Sequence, residues 1–344
     1  MTPGADADSP LPGIGLIGCG GISESHLGAY KRLGLPVRAL CNRTLSKAHE
    51  RAAEFFPEAH VCCDHRELLA LPEVEVVDIT THPPERIDLI ADALRAGKHV
   101  LSQKPFVLDL QEGERLSELA GEHGVLRAVN QDGRGAPHLA GIREGVRAGQ
   151  IGRLQSVDVS IDWDHSWTVG TAFDHTPYLV LFDFGMHWFD FVACLLDGRE
   201  VREVTATTGR TPTQVSPQPM LAEATMSGPD LHVHLRFNGD CTSDPLDRTV
   251  VTGSEGTLVA EGADLQTQRL TLHRGDDQSE LPLEGDWFTT GFEGTMLELL
   301  RAIRAGDTPS HSARNNLRSL ELVFAACASA QRGTAVRPGD VRAL

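Results

Sequence analysis

Asp183, His187 and Asp190 stand at i, i+4 and i+7 of an otherwise apolar run, a spacing that sets all three on one face of a helix. A carboxylate–imidazole–carboxylate row suits acid–base chemistry, because an imidazole exchanges a proton near neutral pH. Phe184, Trp188, Phe191 and Leu195 fall on the other faces, and a charged row inside so apolar a helix is costly unless it faces a site. A lone histidine there would read as a satisfied core residue. The second candidate is Lys104, in Ser102-Gln103-Lys104-Pro105 directly after a β-like run. A lysine fixed by a following proline can donate to a substrate oxygen and depress the pKa of a neighbouring acid. By itself it would read as a solvated loop charge; with the row it reads as catalytic.

A nucleotide signature stands upstream. Gly18-Cys19-Gly20-Gly21-Ile22-Ser23 follows the first apolar run and opens a helix. Gly18 permits the tight turn, Gly20 lets the backbone approach a pyrophosphate, and Ser23 is small enough for strand–helix packing. The ribose of NAD expects a carboxylate ~20 residues on, but the chain reads Asn42-Arg43-Thr44 there. Arg43, with Asn42 and Thr44, suits a 2′-phosphate, so NADP is favoured. NAD is the alternative if Arg43 only stacks on adenine and Thr44 only caps the next helix. Gly21, Ile22, Thr80, His82, Gln103, Lys104 and Asn130 complete the expected cofactor contacts.

The elements that must position these residues alternate. Apolar runs at Ile14–Gly18, Val37–Cys41, Val76–Thr80, His99–Ser102 and Val125–Val129 are separated by helical stretches. Asp109 with Glu112 forms a helix start signal, and Gly97 and Gly124 are stops. This pattern predicts an α/β fold with an N-terminal Rossmann, doubly wound parallel sheet over 1–132. Beyond Asp132 the pattern changes to alternating strands such as Leu231–Phe237 and two closing helices. A second, α+β domain over 133–344 with a mostly antiparallel sheet is expected. The length of 344 residues agrees with two domains.

Composition narrows the function classes. With 31 Lys and Arg against 48 Asp and Glu, the net charge of −17 disfavours nucleic acid and anionic membranes. Tyr178–Leu196 approaches the length of a membrane span, but Asp183, His187 and Asp190 make lipid costly. The opening MTPGADADSPLP lacks a secretory pattern, and seven scattered cysteines without a CxxC pair suit a reducing cytoplasm. No HExxH or cysteine cluster is present, so no metal is expected.

The Gly18–Ser23 fingerprint, Gln103-Lys104-Pro105 and the Asp183/His187/Asp190 row together resemble the Gfo/Idh/MocA family of oxidoreductases. Asn130-Gln131, Gly149–Gly152 and Asn316–Val323 add smaller similarities, and the resemblance spans nearly the whole chain. It implies a Rossmann domain followed by a domain with an open sheet, built into homodimers or homotetramers. It also implies hydride transfer between NAD(P) and a secondary alcohol or ketone of a sugar, cyclitol or polyol. Lys104 would be the active-site lysine, Asp183 and His187 its catalytic partners, and Asp190 a further acid that contacts substrate or supports the histidine. Arg134 and Trp163 join Asp190 as candidate substrate contacts. Two departures stand out: Gln103 occupies the usual Glu position, and Gln131–Arg134 lacks the common aromatic residues. The loops Trp163–Trp167 and Phe173–His175 lie outside the shared motif and are either specificity elements or an aromatic lid. Two other readings stay open: a glycoside hydrolase that uses bound NAD for a transient oxidation, and a non-catalytic NADP-sensing regulator.

Overall fold

A computed structural model describes residues 10–344. Residues 1–9, most of the stretch read above as lacking a secretory pattern, lie outside the described residues. The chain forms two compact units. One takes the residues up to Asp132 together with Phe288–Leu317, and the other takes Gly133–Trp287 and Arg318–Leu344.

The first unit carries six parallel strands: β1 (Ile14–Ile17), β2 (Val37–Cys41), β3 (His60–Cys62), β4 (Val76–Ile79), β5 (His99–Gln103) and β6 (Arg127–Asn130). Their order is β3-β2-β1-β4-β5-β6. The reversal between β1 and β4 is the switch point beside which such sheets bind ligands. Helices α1 (Ser23–Arg32), α2 (Leu45–Phe55), α3 (His65–Ala70), α4 (Pro83–Arg95) and α5 (Leu110–Glu122) make the crossovers. Asp109 caps α5 by accepting the Gln111 amide at 2.7 Å, as its sequence position suggests. β3 is a sixth strand beyond the five apolar runs; at three residues, His-Val-Cys, it is too short to show a period. Phe292, Met296, Leu299 and Leu300 recur at helical spacing and join Leu27, Tyr30, Leu101 and Ala128 in one core. That packing draws 288–317 into this unit.

The second unit holds α6 (Pro137–Arg147), β7 (Leu154–Asp162), α7 (Met186–Leu196) and the strands β8 (Glu203–Gly209), β9 (Leu221–Ser227), β10 (His232–Asn238), β11 (Leu246–Gly253), β12 (Thr257–Gly262), β13 (Gln268–Arg274) and β14 (Asp277–Leu281). The strand order is β14-β13-β12-β11-β7-β10-β9-β8. Every neighbouring pair is antiparallel except β7 with β10. Val233, Leu235 and Phe237 are buried while their neighbours alternate outward. The last helices are α8 (Trp287–Ala305) and α9 (Ala313–Arg332). Among the described residues no helix is long and apolar enough to cross a membrane.

Candidate active site

In the first unit, the glycine loop leads from β1 into α1. Gly18 has φ +102°, and a Cβ there would lie 3.0 Å from Thr80 Oγ1, so only glycine fits. Gly20 and Gly21 have nothing within 4 Å of where a side chain would stand. That opening is the room a pyrophosphate needs against the first turn of α1. Ser23 is fully buried and its hydroxyl donates to Gly20 O at 2.5 Å, a bond that closes the turn. These residues fit a dinucleotide, with the Gly18–Ile22 backbone as its cradle.

Two expected cofactor contacts hold the loop's shape. Asn42 Oδ1 accepts the Cys19 amide at 2.9 Å, and its Nδ2 donates to Thr44 O at 2.9 Å. The Thr80 hydroxyl donates to Gly18 O and, at 3.3 Å, to Ile17 O. Arg43 is 84% exposed, and its guanidinium donates to Glu85 at 2.7 Å. Thr44 precedes α2 without a side-chain cap bond, and exposed His82 precedes α4.

Lys104 is half-buried at the carboxyl end of β5, before a cis Lys104–Pro105 bond. Arg86, from α4, is buried and donates to the carbonyls of Thr81, Gln103 and Pro105, so one guanidinium staples the lysine loop to the end of β4. Gln103 Oε1 accepts the Lys104 amide at 2.6 Å. Behind it lies a buried polar network. Asp78 Oδ2 accepts from His26 Nδ1 at 2.7 Å and from the Tyr30 hydroxyl at 2.6 Å. His26 Nε2 lies 3.4 Å from both Gln103 Nε2 and Asn130 Nδ2. Asn130, expected at the cofactor, gives its Oδ1 to the Thr295 hydroxyl at 2.5 Å. Motif reading missed Arg86, His26, Tyr30 and Asp78. The available signal was an aspartate inside the apolar strand Val76-Val77-Asp78-Ile79.

In the second unit, the expected single helix face is broken. Val180–Phe184 forms a π-helical turn in which the Gly185 amide donates to Val180 O, five residues back, at 2.7 Å. α7 begins at Met186, so Asp183 sits in the π turn and His187 in the first turn of the helix. A Cβ at Gly185 would lie 2.7 Å from Leu181 O, so this transition needs glycine. Asp183 is buried, and His187 is half-buried. The His187 ring meets Trp287 edge-on at 5.1 Å, and a Cβ at Gly133 would lie 3.4 Å from His187 Nδ1.

Asp190 and Arg134, both expected at substrate, bind each other: Arg134 Nε and Nη2 donate to the two carboxylate oxygens at 2.6 and 2.7 Å. The Ser319 hydroxyl adds a bond to Oδ1 at 2.7 Å, and the two side chains are only 9% and 2% exposed. With the Ser319 bond, a buried bidentate pair of this kind uses three of the carboxylate's roughly four acceptor sites and ties α7 to Arg134 and Ser319. Trp163 lies within an aromatic group, its ring 5.3 Å from Trp188 and 5.2 Å from His165. His165, Trp167, Phe173 and Phe184 continue it, and Trp167 is 58% exposed. His138 packs against Trp287, and burial pushes its imidazole down to about 4.

The oxidoreductase-family model with an NAD-binding Rossmann fold matches residues 13–131, and the GFO/IDH/MocA C-terminal domain matches 139–259. The chain belongs to the Gfo/Idh/MocA family. It is 27% identical over 342 residues to D-apiose dehydrogenase of Paraburkholderia graminis, covering 93% of this chain and 88% of that one. It is 26% identical over 342 residues to inositol 2-dehydrogenase of Acidothermus cellulolyticus, covering 96% of each. An oxidoreductase of Agrobacterium radiobacter, solved with NAD+, L-tartaric acid and magnesium, superposes with a TM-score of 0.84 at 19% identity, over 96% of this chain and 99% of that one. Membership of this Gfo/Idh/MocA family makes the chain an NAD(P)-dependent oxidoreductase.

Proposed function

We propose that this family member interconverts a secondary alcohol and a ketone on a sugar, cyclitol or related polyol, with Lys104, Asp183 and His187 as its catalytic residues. The substrate class rests on one observation: relatives aligned over nearly the full chain are, by name, dehydrogenases of D-apiose and inositol. When bound, the nicotinamide supplies the hydride acceptor for oxidation and the donor for reduction. His187 takes the hydroxyl proton as the carbinol C–H bond breaks, leaving the ketone and one proton on the imidazole. Lys104 donates a hydrogen bond to the same oxygen and stabilises its developing negative charge. Asp183 orients the imidazole or holds a neighbouring hydroxyl. The exposed face of Trp167 and the Trp163 ring supply apolar surface for the C–H face of a sugar ring.

We further propose NADP over NAD, because Arg43 stands after β2 with no carboxylate beside it in sequence. Its partner Glu85 must give way to a 2′-phosphate. The test is nicotinamide absorbance against a panel of sugars, inositols and their keto forms with each cofactor. Turnover with at least one polyol, faster per mole of NADP, supports the reading. Absence of turnover with every member of the panel contradicts it.

A further inference from the structure

Asp78 is fully buried in an otherwise apolar strand, and its second oxygen, Oδ1, is buried without a hydrogen bond. A carboxylate in that position costs stability, and packing alone does not account for it. Its Oδ2 accepts from two groups. Burial, and then the neighbouring Asp78 charge, push the Tyr30 phenol well above its ordinary range, so the hydroxyl keeps its proton and donates. A carboxylate only accepts, so the second donor is His26 Nδ1–H.

The other ring nitrogen is then the lone-pair side, and the amides around it agree. Gln103 Oε1 is committed to the Lys104 amide and Asn130 Oδ1 to the Thr295 hydroxyl. Both amide nitrogens therefore face His26 Nε2 as donors, each at 3.4 Å. The Thr295 hydroxyl has a second acceptor in Phe292 O at 3.1 Å, longer than its 2.5 Å bond to Asn130 Oδ1. A glutamate at 103 would oppose the Nε2 lone pair with another acceptor. It would also place a second carboxylate around one ring in the interior.

We propose that Asp78, His26 and Gln103 form a buried positioning relay that sets the backbone amide of Lys104, and that the neutral amide at 103 is matched to the carboxylate at 78. The relay rests on the assignment of Lys104 to the reacting oxygen, and none of its members touches substrate. The orienting carboxylate lies on β4, two residues into the interior, instead of in the lysine loop.

The test pairs a spectrum with a rescue. Long-range 1H–15N correlation on the cofactor-free wild-type protein reads the His26 tautomer without any turnover, and the proton is expected on Nδ1. Gln103→Glu is expected to lower kcat about tenfold, and Asp78→Asn combined with Gln103→Glu to recover to within about threefold of wild type. A proton on Nε2 overturns the relay. So does Gln103→Glu at wild-type kcat, or a double variant no better than the poorer single one. If the tautomer is as stated but no polyol is turned over, the functional assignment fails and the relay's geometry stands.

Discussion

A group that takes a proton in the reaction must dominate the chemical step and leave binding nearly untouched. His187→Ala is therefore expected to lower kcat by roughly 10²–10⁴ with cofactor Kd within about twofold of wild type, and Lys104→Met to lower kcat by a similar factor in a folded protein. Wild-type turnover in either variant would return that residue to a structural role. Asp190 predicts the reverse profile. Asp190→Asn removes the negative charge that Arg134 pairs with in the interior and should cost about 3–5 kcal/mol in urea unfolding, with little change in KM for the folded fraction. A large KM change at intact stability would restore Asp190 to the substrate. For Arg43, loss of a partly exposed charge-assisted contact should weaken NADP about 10- to 100-fold more than NAD. Parallel titrations of both cofactors with Arg43→Ala read that ratio, and equal losses would favour NAD. Residue types were the most legible level: the glycine fingerprint shows in sequence, and Lys104 and His187 are proposed from it. Arg86 does not show there, because its work is done through carbonyls that no spacing encodes, and Asp78 shows only as an aspartate inside an apolar strand.

At the scale of elements, the π turn Val180–Phe184 and Gly185 lead directly into the first turn of α7, which carries His187. Gly185→Ala drives a methyl to within 2.7 Å of Leu181 O and 2.8 Å of Val180 O. It should cost roughly 1–3 kcal/mol by overpacking, and lower kcat by displacing the first turn of α7. Thermal melts and kinetics on the one variant check both. The i, i+4, i+7 arithmetic assumed a regular helix, and the π turn is where it fails. Helix α6 adds a pH effect through His138. The free imidazole titrates at 6.5, whereas burial lowers the folded value to about 4. The unfolded chain binds the extra proton, so stability is complete above 6.5 and falls as pH drops through that window, by roughly 3 kcal/mol. His138→Leu should flatten the acid limb of Tm against pH; an unchanged slope would contradict the burial argument. β3 escaped detection for a different reason, being held by its neighbour β2 and not by its own pattern.

For the whole molecule, strand–helix alternation made the parallel sheet legible, and period-two alternation made the antiparallel one legible. The placement of 288–317 was not, since an amphipathic helix does not state which core it will cover. Function at this scale is NAD(P)-dependent oxidoreduction, with Lys104 and His187 as the proposed catalytic residues. The measurement that tests it most directly uses the best polyol from the substrate panel, deuterated at its carbinol carbon, in a single turnover with the preferred cofactor. The account predicts one deuterium on the nicotinamide for each ketone formed, and transfer slowed by roughly 10²–10⁴ with His187→Ala. Deuterium released to solvent or returned to a cleaved product, with no net reduction of cofactor, would contradict it.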